Sequence, residues 1–176
     1  FLYQISLLDE PTSGEILIDG VNVHNMEIKE KILYRLNNFG YVFQDYALLP
    51  DLTALENIAL PLLMQGIVKK DAYKMSRDIL STLMLEHHLN NLPGNISGGE
   101  QQRISIARAV VHHPKVLFAD EPTANLDNES SLIIMDIFKK LHKEGQTIIM
   151  ITHEEQYASV AGRIINIDDG NIVLSK

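Results

Sequence analysis

The chain of 176 residues contains no cysteine, which excludes disulfide frameworks and thiolate metal sites. It also has little positive charge, since 15 Lys and Arg stand against 23 Asp and Glu and give a formal net charge of −8. That balance argues against a nucleic-acid binder held by a broad basic surface. No apolar run approaches the roughly 18 to 20 residues that a membrane-spanning helix needs. The remaining composition, 45% hydrophobic and 22% charged, predicts one globular domain with a sizeable core.

Strands that alternate with helices in the second half of the chain indicate a parallel α/β core. Lys115–Ala119 and Gln146–Ile151 are apolar stretches of strand length, and both are predicted to be buried strands of the parallel sheet. Gly40–Phe43 is predicted to be a shorter strand. Helices are predicted around them, among others over Ser97–His113 and Asn128–Glu144.

Two Asp-Gly steps predict antiparallel hairpins, because this pair favours the tight turns that join twisted strands. Asp19-Gly20 lies between two short apolar stretches near the front of the chain. The second step, Asp169-Gly170, precedes a predicted last strand over Asn171–Leu174. The hairpins add antiparallel pieces to a parallel core.

The middle of the chain has a helical pattern, with apolar residues at three- and four-residue spacing over 52–92 and an interruption near Gly66. No composition shift or linker suggests a second domain. The sequence therefore predicts a single domain in which residues 1–44 and 93–176 form the α/β core and residues 45–92 form a helical lobe.

The tetrapeptide Asp-Glu-Pro-Thr occurs twice, in two different contexts. Asp120 and Glu121 follow an apolar strand, so they are expected where α/β sheets bind ligands. Adjacent carboxylates repel there unless a cation or a hydrogen-bond partner offsets them. We therefore predict that Asp120 serves Mg²⁺ and that Glu121 polarises an attacking water, with a solvated turn as the alternative. In the first copy, Asp9 and Glu10 are predicted to end a helix that Pro11 stops.

The stretch Ser97–Glu100 satisfies the S-x-x-E capping box, which fixes the start of a helix. Its two glycines let a ligand approach the backbone closely, and the free N–H groups with the helix dipole suit a phosphate. A plain glycine-rich helix cap is the alternative. The capping box also predicts that the Glu100 carboxylate reaches back to the backbone N–H of Ser97.

Two further polar residues are expected at the same sheet edge as Glu121. Gln44 follows the short strand that ends at Phe43, and His153 follows the strand that ends at Ile151. At that edge His153 can contact a transferring phosphoryl group, although a lone histidine after a strand is more often structural. The neutral amide of Gln44 can touch Mg²⁺ or the attacking water without adding charge.

Four stretches resemble, in order and spacing, the motifs of ABC-type ATPases. YVFQDYALLP resembles the Q-loop, SGGEQQRISIARA the signature, VLFADEPTANLD the Walker B motif with the D-loop, and ITHE the H-loop. The resemblance runs essentially from end to end, and FQDYALLPDLTALENIALPLL is most similar to the subgroup of lipoprotein-releasing and macrolide-export ATPases. It implies an α/β fold of the P-loop NTPase type, with a parallel sheet core, an antiparallel β hairpin and a helical signature subdomain.

The resemblance also implies what the chain does. It implies the ATP-binding and ATP-hydrolysing subunit of a membrane transporter, which powers export or lipoprotein release as a head-to-tail homodimer. The implied partner is a membrane-spanning permease subunit, the implied ligands are ATP and Mg²⁺, and no nucleic acid is expected. Such a subunit is expected in the cytoplasm, peripheral at the inner face of the cell membrane.

Residue roles follow from the same resemblance, position by position. Asp120 would hold Mg²⁺, Glu121 would be the general base, and His153 would sense the γ-phosphate. Gln44 would touch the metal and couple it to the membrane partner, and Asp127 would cross the dimer interface. The residues implied to bind the ATP of the partner subunit are Ser97, Gly98, Gly99 and Glu100. Glu100 stands where the commonest signature has glutamine.

The larger departure of the chain from the family is that it has no G-x-x-x-x-G-K-[ST] loop to cradle phosphates. The nearest match, Gly94–Gly99, continues with Glu100 instead of lysine. The chain begins at Phe1 without methionine or signal peptide, and the aromatic residue that stacks on adenine would lie upstream. We therefore expect an N-terminally truncated ABC ATPase domain without its first strand and P-loop. These 176 residues alone are expected to bind Mg-ATP weakly, to hydrolyse it negligibly, and to expose apolar surface.

An ABC-type ATPase of DNA maintenance or of translation is the alternative function. Chromosome and repair types carry a very long coiled coil between the Q-loop and the signature, whereas residues 45–92 make only a compact helical segment. The DNA-damage type with zinc modules needs cysteines, and the translation type has two cassettes where one is present. A non-catalytic regulatory remnant is a third class, against which the presence of Glu121 and His153 argues.

Seven histidines raise the question of a metal site. His87-His88 and His112-His113 are sequence neighbours, so each pair is predicted to split across two helix faces and not to ligate one ion together. Since cysteine is absent too, the sequence predicts no structural zinc site.

Overall fold

The computed structural model describes residues 1–173, which form seven helices and seven strands. The helices are α1 (Leu2–Ile5), α2 (Ile28–Asn38), α3 (Ala54–Met64), α4 (Lys69–Thr82), α5 (Gly98–Val110), α6 (Asn128–Lys143) and α7 (Glu155–Ala158). The strands are β1 (Leu17–Ile18), β2 (Val21–Asn22), β3 (Phe39–Val42), β4 (Val116–Asp120), β5 (Thr147–Ile151), β6 (Asn166–Asp168) and β7 (Asn171–Val173). Two 3-10 turns, Glu86–His88 and Pro93–Asn95, lie between α4 and α5.

The central sheet is parallel and has the order β3-β4-β5. In β4, Leu117, Phe118 and Ala119 are at most 2% exposed, as expected for a strand covered on both faces. Alternation along β4 sends Leu117 and Ala119 to one face and Phe118 to the other, where they join different core clusters. The predicted parallel α/β core is confirmed.

The prediction that residues 146–151 form a buried strand is wrong in part. Within residues 1–173, β5 pairs only with β4, so it lies at the edge of the sheet. Thr147 is exposed and Ile149 is 36% exposed. An apolar strand at an edge keeps its β-sheet register but leaves one flank open to solvent.

Helices cover the sheet on both faces. On one face, α5 and α6 contribute Ile106, Ala109, Ile134 and Phe138 to a buried cluster with the strands. On the other face, α1 and the front hairpin pack on Phe39 and Phe118. The approach of α5 to β3 is close enough to require a glycine, because a Cβ atom at Gly40 would lie 2.1 Å from the carbonyl oxygen of Ala109.

The helical segment packs on α5 through its own cluster of buried side chains, among them Ile58, Leu62, Leu80 and Ile104. Gly66 follows α3 in a left-handed conformation with φ of +85°, which explains the predicted interruption. Of the helices in the described part of the chain, none combines the length and the apolar character that crossing a membrane requires.

The two hairpins form at the predicted Asp-Gly steps. Asp19 and Gly20 both have positive φ, of 50° and 76°, and so do Asp169 and Gly170, of 45° and 77°. Positive φ at both central residues is the mark of the tight turn that matches strand twist. β1 pairs antiparallel with β2 and β6 with β7, while the end of the predicted last strand, Leu174, lies outside the described residues.

The first acidic pair does not end a helix, which corrects the prediction. α1 stops at Ile5, and Leu7 takes a left-handed conformation with φ of 60°. The N–H of Leu8 donates to the carbonyl of Tyr3 at 2.7 Å, so a Schellman motif, not Pro11, closes the helix. Glu10 then forms an ion pair of 2.9 Å with Lys31 on α2 and lies at the surface, which is consistent with a structural role.

Candidate functional site

The polar residues predicted to act together lie at one edge of the sheet. Because β3, β4 and β5 are parallel, their carboxyl ends meet there. Gln44 follows the end of β3, Asp120 is the last residue of β4 with Glu121 after it, and His153 follows the end of β5. Strand ends therefore position all four residues.

Glu121 and His153 are in direct contact. Nδ1 of His153 lies 2.9 Å from Oε1 of Glu121. A carboxylate can only accept, so Nδ1 carries the proton and donates it in this hydrogen bond. The Glu121 side chain is 18% exposed and that of His153 is 73% exposed. This pairing leaves Nε2 of His153 directed away from its bond with Glu121 and accessible to a ligand.

The backbone of Glu121 is held in an unusual conformation. Its φ is 45°, a left-handed value that is uncommon for a non-glycine residue, and its N–H donates to the carbonyl of Ile151 at 3.0 Å. That hydrogen bond ties the turn after β4 to the end of β5. The second carboxylate oxygen, Oε2, is buried without a hydrogen-bond partner among the described residues. A buried carboxylate oxygen without a partner is uncommon in folded proteins, and it marks Glu121 as a candidate contact for a ligand.

Asp120 faces two tyrosines. The negative charge of Asp120, more than burial, raises the pKa of the Tyr3 hydroxyl. Burial first, and the charge of Asp120 second, raise the pKa of Tyr41. Both tyrosines therefore stay neutral beside the carboxylate. The carboxylate of Asp120 is an oxygen donor of the kind that suits a hard cation such as Mg²⁺, so the residues present fit a magnesium site.

The loops that follow β3 and β4 are tied to each other. Nδ2 of Asn125 donates to the backbone carbonyl of Gln44 at 3.0 Å. The loop after β4 is also tied to α5, because Nε2 of the buried Gln102 donates to the carbonyl of Pro122 at 2.7 Å. Only the backbone of Gln44 takes part in the bond with Asn125, and the residue is exposed. Its side-chain amide is thus available at the surface of the site.

Arg108 holds the loop after Gln44, a role that the sequence did not reveal. Its guanidinium donates to the carbonyls of Tyr46 and Ala47, at 3.0 Å and 2.6 Å. Both of these residues have positive φ, of 65° and 46°, which needs support from the surroundings. The only signal in the sequence is an arginine on the apolar side of a predicted helix.

The start of α5 is packed against its own chain. A Cβ atom at Gly98 would lie 2.8 Å from the hydroxyl of Tyr46, and one at Gly99 would lie 2.6 Å from Oγ of Ser130. A side chain at Gly98 would have to displace the Tyr46 hydroxyl, and one at Gly99 would crowd Ser130, so contacts within the subunit favour glycine at both positions. Ser97, by contrast, is exposed.

Glu100 uses its two oxygens in two directions. Oε2 accepts from the backbone N–H of Ser97 at 3.2 Å and from the Ser97 hydroxyl, which confirms the predicted capping box. Oε1 lies 2.9 Å from Nε2 of His88. The hydrogen bonds from Ser97, followed by the one from His88, lower the pKa of Glu100 to about 2. Glu100 thus faces the helical segment and not the sheet edge.

The prediction that His87 and His88 point apart is wrong. They lie in a 3-10 turn, not in an α-helix, and the Nε2 atoms of both approach Oε1 of Glu100, at 3.7 Å and 2.9 Å. Their rings are 4.1 Å apart. In the other pair, Nε2 of the part-buried His112 lies 3.1 Å from the carbonyl oxygen of Phe39, whereas His113 is exposed.

Asp127 caps α6. Its carboxylate accepts from the backbone N–H of Ser130 at 2.7 Å and from the Ser130 hydroxyl at 3.2 Å. These hydrogen bonds lower the pKa of Asp127. Asp127 is exposed, so its carboxylate group remains accessible from outside the subunit. The contact between Ser130 and Gly99 places this cap beside the start of α5.

We expect His153 to titrate above its ordinary pKa of 6.5, because the hydrogen bond and the charge of Glu121 stabilise the imidazolium form. Below the raised pKa the ring carries both protons, and above it Nε2 loses its proton. The measurement is the pH dependence of the His153 ring resonances by NMR without added metal. Glu121→Gln should bring the midpoint down. Glu154→Gln, which removes only a weaker charge contribution, should lower it less, and an equal effect of the two would contradict the assignment.

Comparisons with known proteins identify the family. Residues 1–124 match the model of the ABC transporter family. A lipoprotein-releasing system ATP-binding protein of Aquifex aeolicus is 44% identical over 172 residues, which are 98% of this chain and 77% of that protein. A macrolide export ATP-binding/permease protein of Campylobacter fetus is 43% identical over 169 residues, 96% of this chain and 26% of that longer protein.

A solved structure agrees with the sequence comparisons. It is a dimeric ATP-binding cassette in a post-hydrolysis state with ADP and inorganic phosphate bound. It superposes with a TM-score of 0.88 at 37% identity, over 97% of this chain and 76% of that one. These relatives favour a transporter ATPase over an ATPase of DNA maintenance or translation. The chain belongs to the ABC transporter family, as an ATP-binding subunit.

Proposed function

We propose that this protein hydrolyses ATP to drive export, or release of a lipoprotein, through a membrane-spanning permease subunit. Two copies would act as a head-to-tail dimer, peripheral at the inner face of the cell membrane. The relatives named for lipoprotein release and macrolide export support the transport role, and the dimeric cassette supports the dimer. The net charge of −8 supports the absence of a nucleic-acid partner.

The observation that carries the proposal is the Glu121–His153 pair beside Asp120 at the sheet edge. Asp120 and the amide of Gln44 would hold Mg²⁺ with ATP. When bound, the ion offsets negative charge on the phosphates. Asp120 contributes a full negative charge to that site, whereas Gln44 contributes a neutral oxygen and leaves the local charge unchanged.

Glu121 would act as the general base. Its Oε2 has no protein partner among the described residues and is buried, so a small movement of the side chain would bring it to the attacking water, from which it would accept a proton. Oε1 would stay bonded to His153. His153 orients the carboxylate through Nδ1. In its protonated form it also presents Nε2–H as a donor to the outer phosphate, and the raised pKa of His153 favours that form.

The signature residues Ser97, Gly98, Gly99 and Glu100 would contact the ATP of the partner subunit. The exposure of Ser97 and the backbone N–H groups at the start of α5 support this role, since a helix N-terminus attracts phosphate. Asp127 would reach the same interface, because its cap lies beside Gly99. Glu100 would act through the capping box, by fixing the position of Ser97.

We also propose the division of the chain into an α/β core of residues 1–44 and 93–176 and a helical lobe of residues 45–92. The lobe has its own apolar cluster, which supports the division, but that cluster also includes Ile104 and Ala107 of α5 and Ile96, which precedes α5. The lobe and the signature helix are thus expected to move together during a transport cycle.

The test of the proposed activity is phosphate release from Mg-ATP. It requires a form of the protein that carries a G-x-x-x-x-G-K-[ST] loop, assayed alone and with its membrane subunit in vesicles. Nucleotide-dependent phosphate release supports the proposal. Release that is absent from both preparations would contradict it.

The segment Gln44–Met64 is expected to bind a cytoplasmic helix of the permease, because it combines exposed apolar side chains with the loop beside the site. Leu49 is 44% exposed and Met64 is 60% exposed, whereas Ile58 is fully buried, so part of the segment is core and part is free. Since the chain has no cysteine, Leu49→Cys gives a single attachment point.

In the assembled transporter, Leu49→Cys should cross-link to the permease. Ile28→Cys on α2, at a residue that is 73% exposed, serves as the matched control and should not cross-link. Cross-linking from both positions, or from neither, would contradict a binding groove at this segment.

A further inference from the structure

Three potential metal ligands converge beside the start of α5. Nε2 of His88 and Nε2 of His87 lie 2.9 Å and 3.7 Å from the same oxygen, Oε1 of Glu100. The three ligand atoms all lie within 4.8 Å of one another. A tetrahedral zinc ion with bonds of about 2.0–2.1 Å holds its ligand atoms about 3.3 Å apart, so small side-chain adjustments are sufficient.

The side-chain conformations of the two histidines let them meet. Leu85 is fully buried and anchors the 3-10 turn Glu86–His88 to the helical lobe. Neighbouring residues of a 3-10 turn diverge by about 120° around its axis, so the side-chain torsions, and not the backbone, bring both rings to Oε1 of Glu100. His88 is 13% exposed and His87 is 62% exposed, so the site is supported on one side and open to solvent on the other.

The surroundings orient the ligands. The Asn91 amide lies 3.2 Å from Nδ1 of His88. Nδ2 of Asn91 occupies that position, and a flip of the amide would place its oxygen there to accept Nδ1–H, which would leave the lone pair of Nε2 for an ion. Ser97 holds Oε2 of Glu100, which leaves Oε1 facing the histidines. Arg103 lies 3.9 Å from the same oxygen, so an ion would have to displace its guanidinium.

From this geometry we propose that His87, His88 and Glu100 bind a divalent transition-metal ion of the zinc class. Two imidazoles and one carboxylate form a donor set that zinc uses in proteins, with a fourth position open to water. The ion would join the helical lobe to the capping box of α5. It would thereby fix the position of Ser97 without occupying the sheet edge.

The test is a calorimetric titration of the untagged, chelator-treated protein with Zn²⁺. We expect one ion per chain, with an affinity that falls by about 10-fold or more in the double variant His87→Ala/His88→Ala and in Glu100→Gln. Glu100→Gln is the matched change, because glutamine keeps the capping box and loses the anionic ligand. Zn²⁺ should also raise the melting temperature of the unmodified protein and not that of Glu100→Gln.

Two controls separate this site from other histidines. His142→Ala, near the exposed end of α6, and His153→Ala, which removes the other histidine–carboxylate pair, should both keep the zinc affinity. No bound ion, equal affinity in Glu100→Gln, or loss of binding in His153→Ala would overturn the proposal. If the double variant does not fold, the comparison of Glu100→Gln with the unmodified protein decides alone.

Discussion

Glu121→Gln is expected to slow ATP hydrolysis by about 10²–10⁴-fold, or roughly 3 to 5 kcal/mol of barrier, in a form of the protein that carries the phosphate-binding loop. The amide is nearly isosteric, and its oxygen can still accept from Nδ1 of His153, so the site keeps its geometry. What it loses is the ability of Oε2 to take a proton from water. Nucleotide binding should survive, and the ATP-bound dimer should accumulate.

The matched control is Glu10→Gln, because Glu10 occupies the same position in the first copy of the Asp-Glu-Pro-Thr tetrapeptide as Glu121 does in the second. Glu10 is paired at 2.9 Å with Lys31 at the surface, and that pair lowers the pKa of Glu10. The Glu10 side chain is 72% exposed and that of Lys31 is 12% exposed, and an ion pair at the surface contributes little to stability. Turnover should therefore stay close to that of the unmodified protein. Equal losses from the two substitutions would show that the strand-end context does not separate the two acidic pairs.

Elements with a strong local signal could be predicted from the sequence. The apolar run of β4 identifies the middle strand, and the residue after each strand identifies the sheet edge, because parallel strands end on the same side. The capping box at Ser97 is local as well, since its donor and acceptor are three residues apart. Such local patterns are sufficient to predict that Asp120, Glu121 and His153 share one edge of the sheet.

Features that depend on contacts between distant parts of the chain could not be predicted. Arg108 supports Tyr46 across 62 residues, and no pattern in the sequence links the two. The left-handed backbone of Glu121 depends on the hydrogen bond to Ile151 of a neighbouring strand. The convergence of His87 and His88 on Glu100 depends on how the 3-10 turn packs against the start of α5, and no pattern in the sequence links the two. Tertiary contacts override local propensity in all three places.

Gly99→Asp is expected to abolish dimer formation with ATP and to reduce turnover to background, while ATP affinity of the isolated subunit changes little. The physical reason is electrostatic, because a carboxylate at the start of α5 would face the phosphates that the partner subunit holds and would cancel the attraction of the helix N-terminus. The measurements are size-exclusion chromatography with ATP, phosphate release, and nucleotide titration of the monomer.

The close packing of Gly99 makes a second variant necessary. Any side chain there would meet Ser130, with Oγ at 2.6 Å and Cβ at 3.0 Å from the added Cβ, so part of the damage would arise within one subunit. Gly99→Asn adds the same volume without charge and reports that steric part alone. If Gly99 faces a phosphate held by the partner subunit, Gly99→Asp must form clearly less ATP-dependent dimer than Gly99→Asn. The difference in dimer fraction between the two variants must also shrink as the salt concentration rises. An equal loss of dimer in the two variants would show that glycine is needed because of the contact with Ser130. It would then not support a contact between Gly99 and the ATP of the partner subunit.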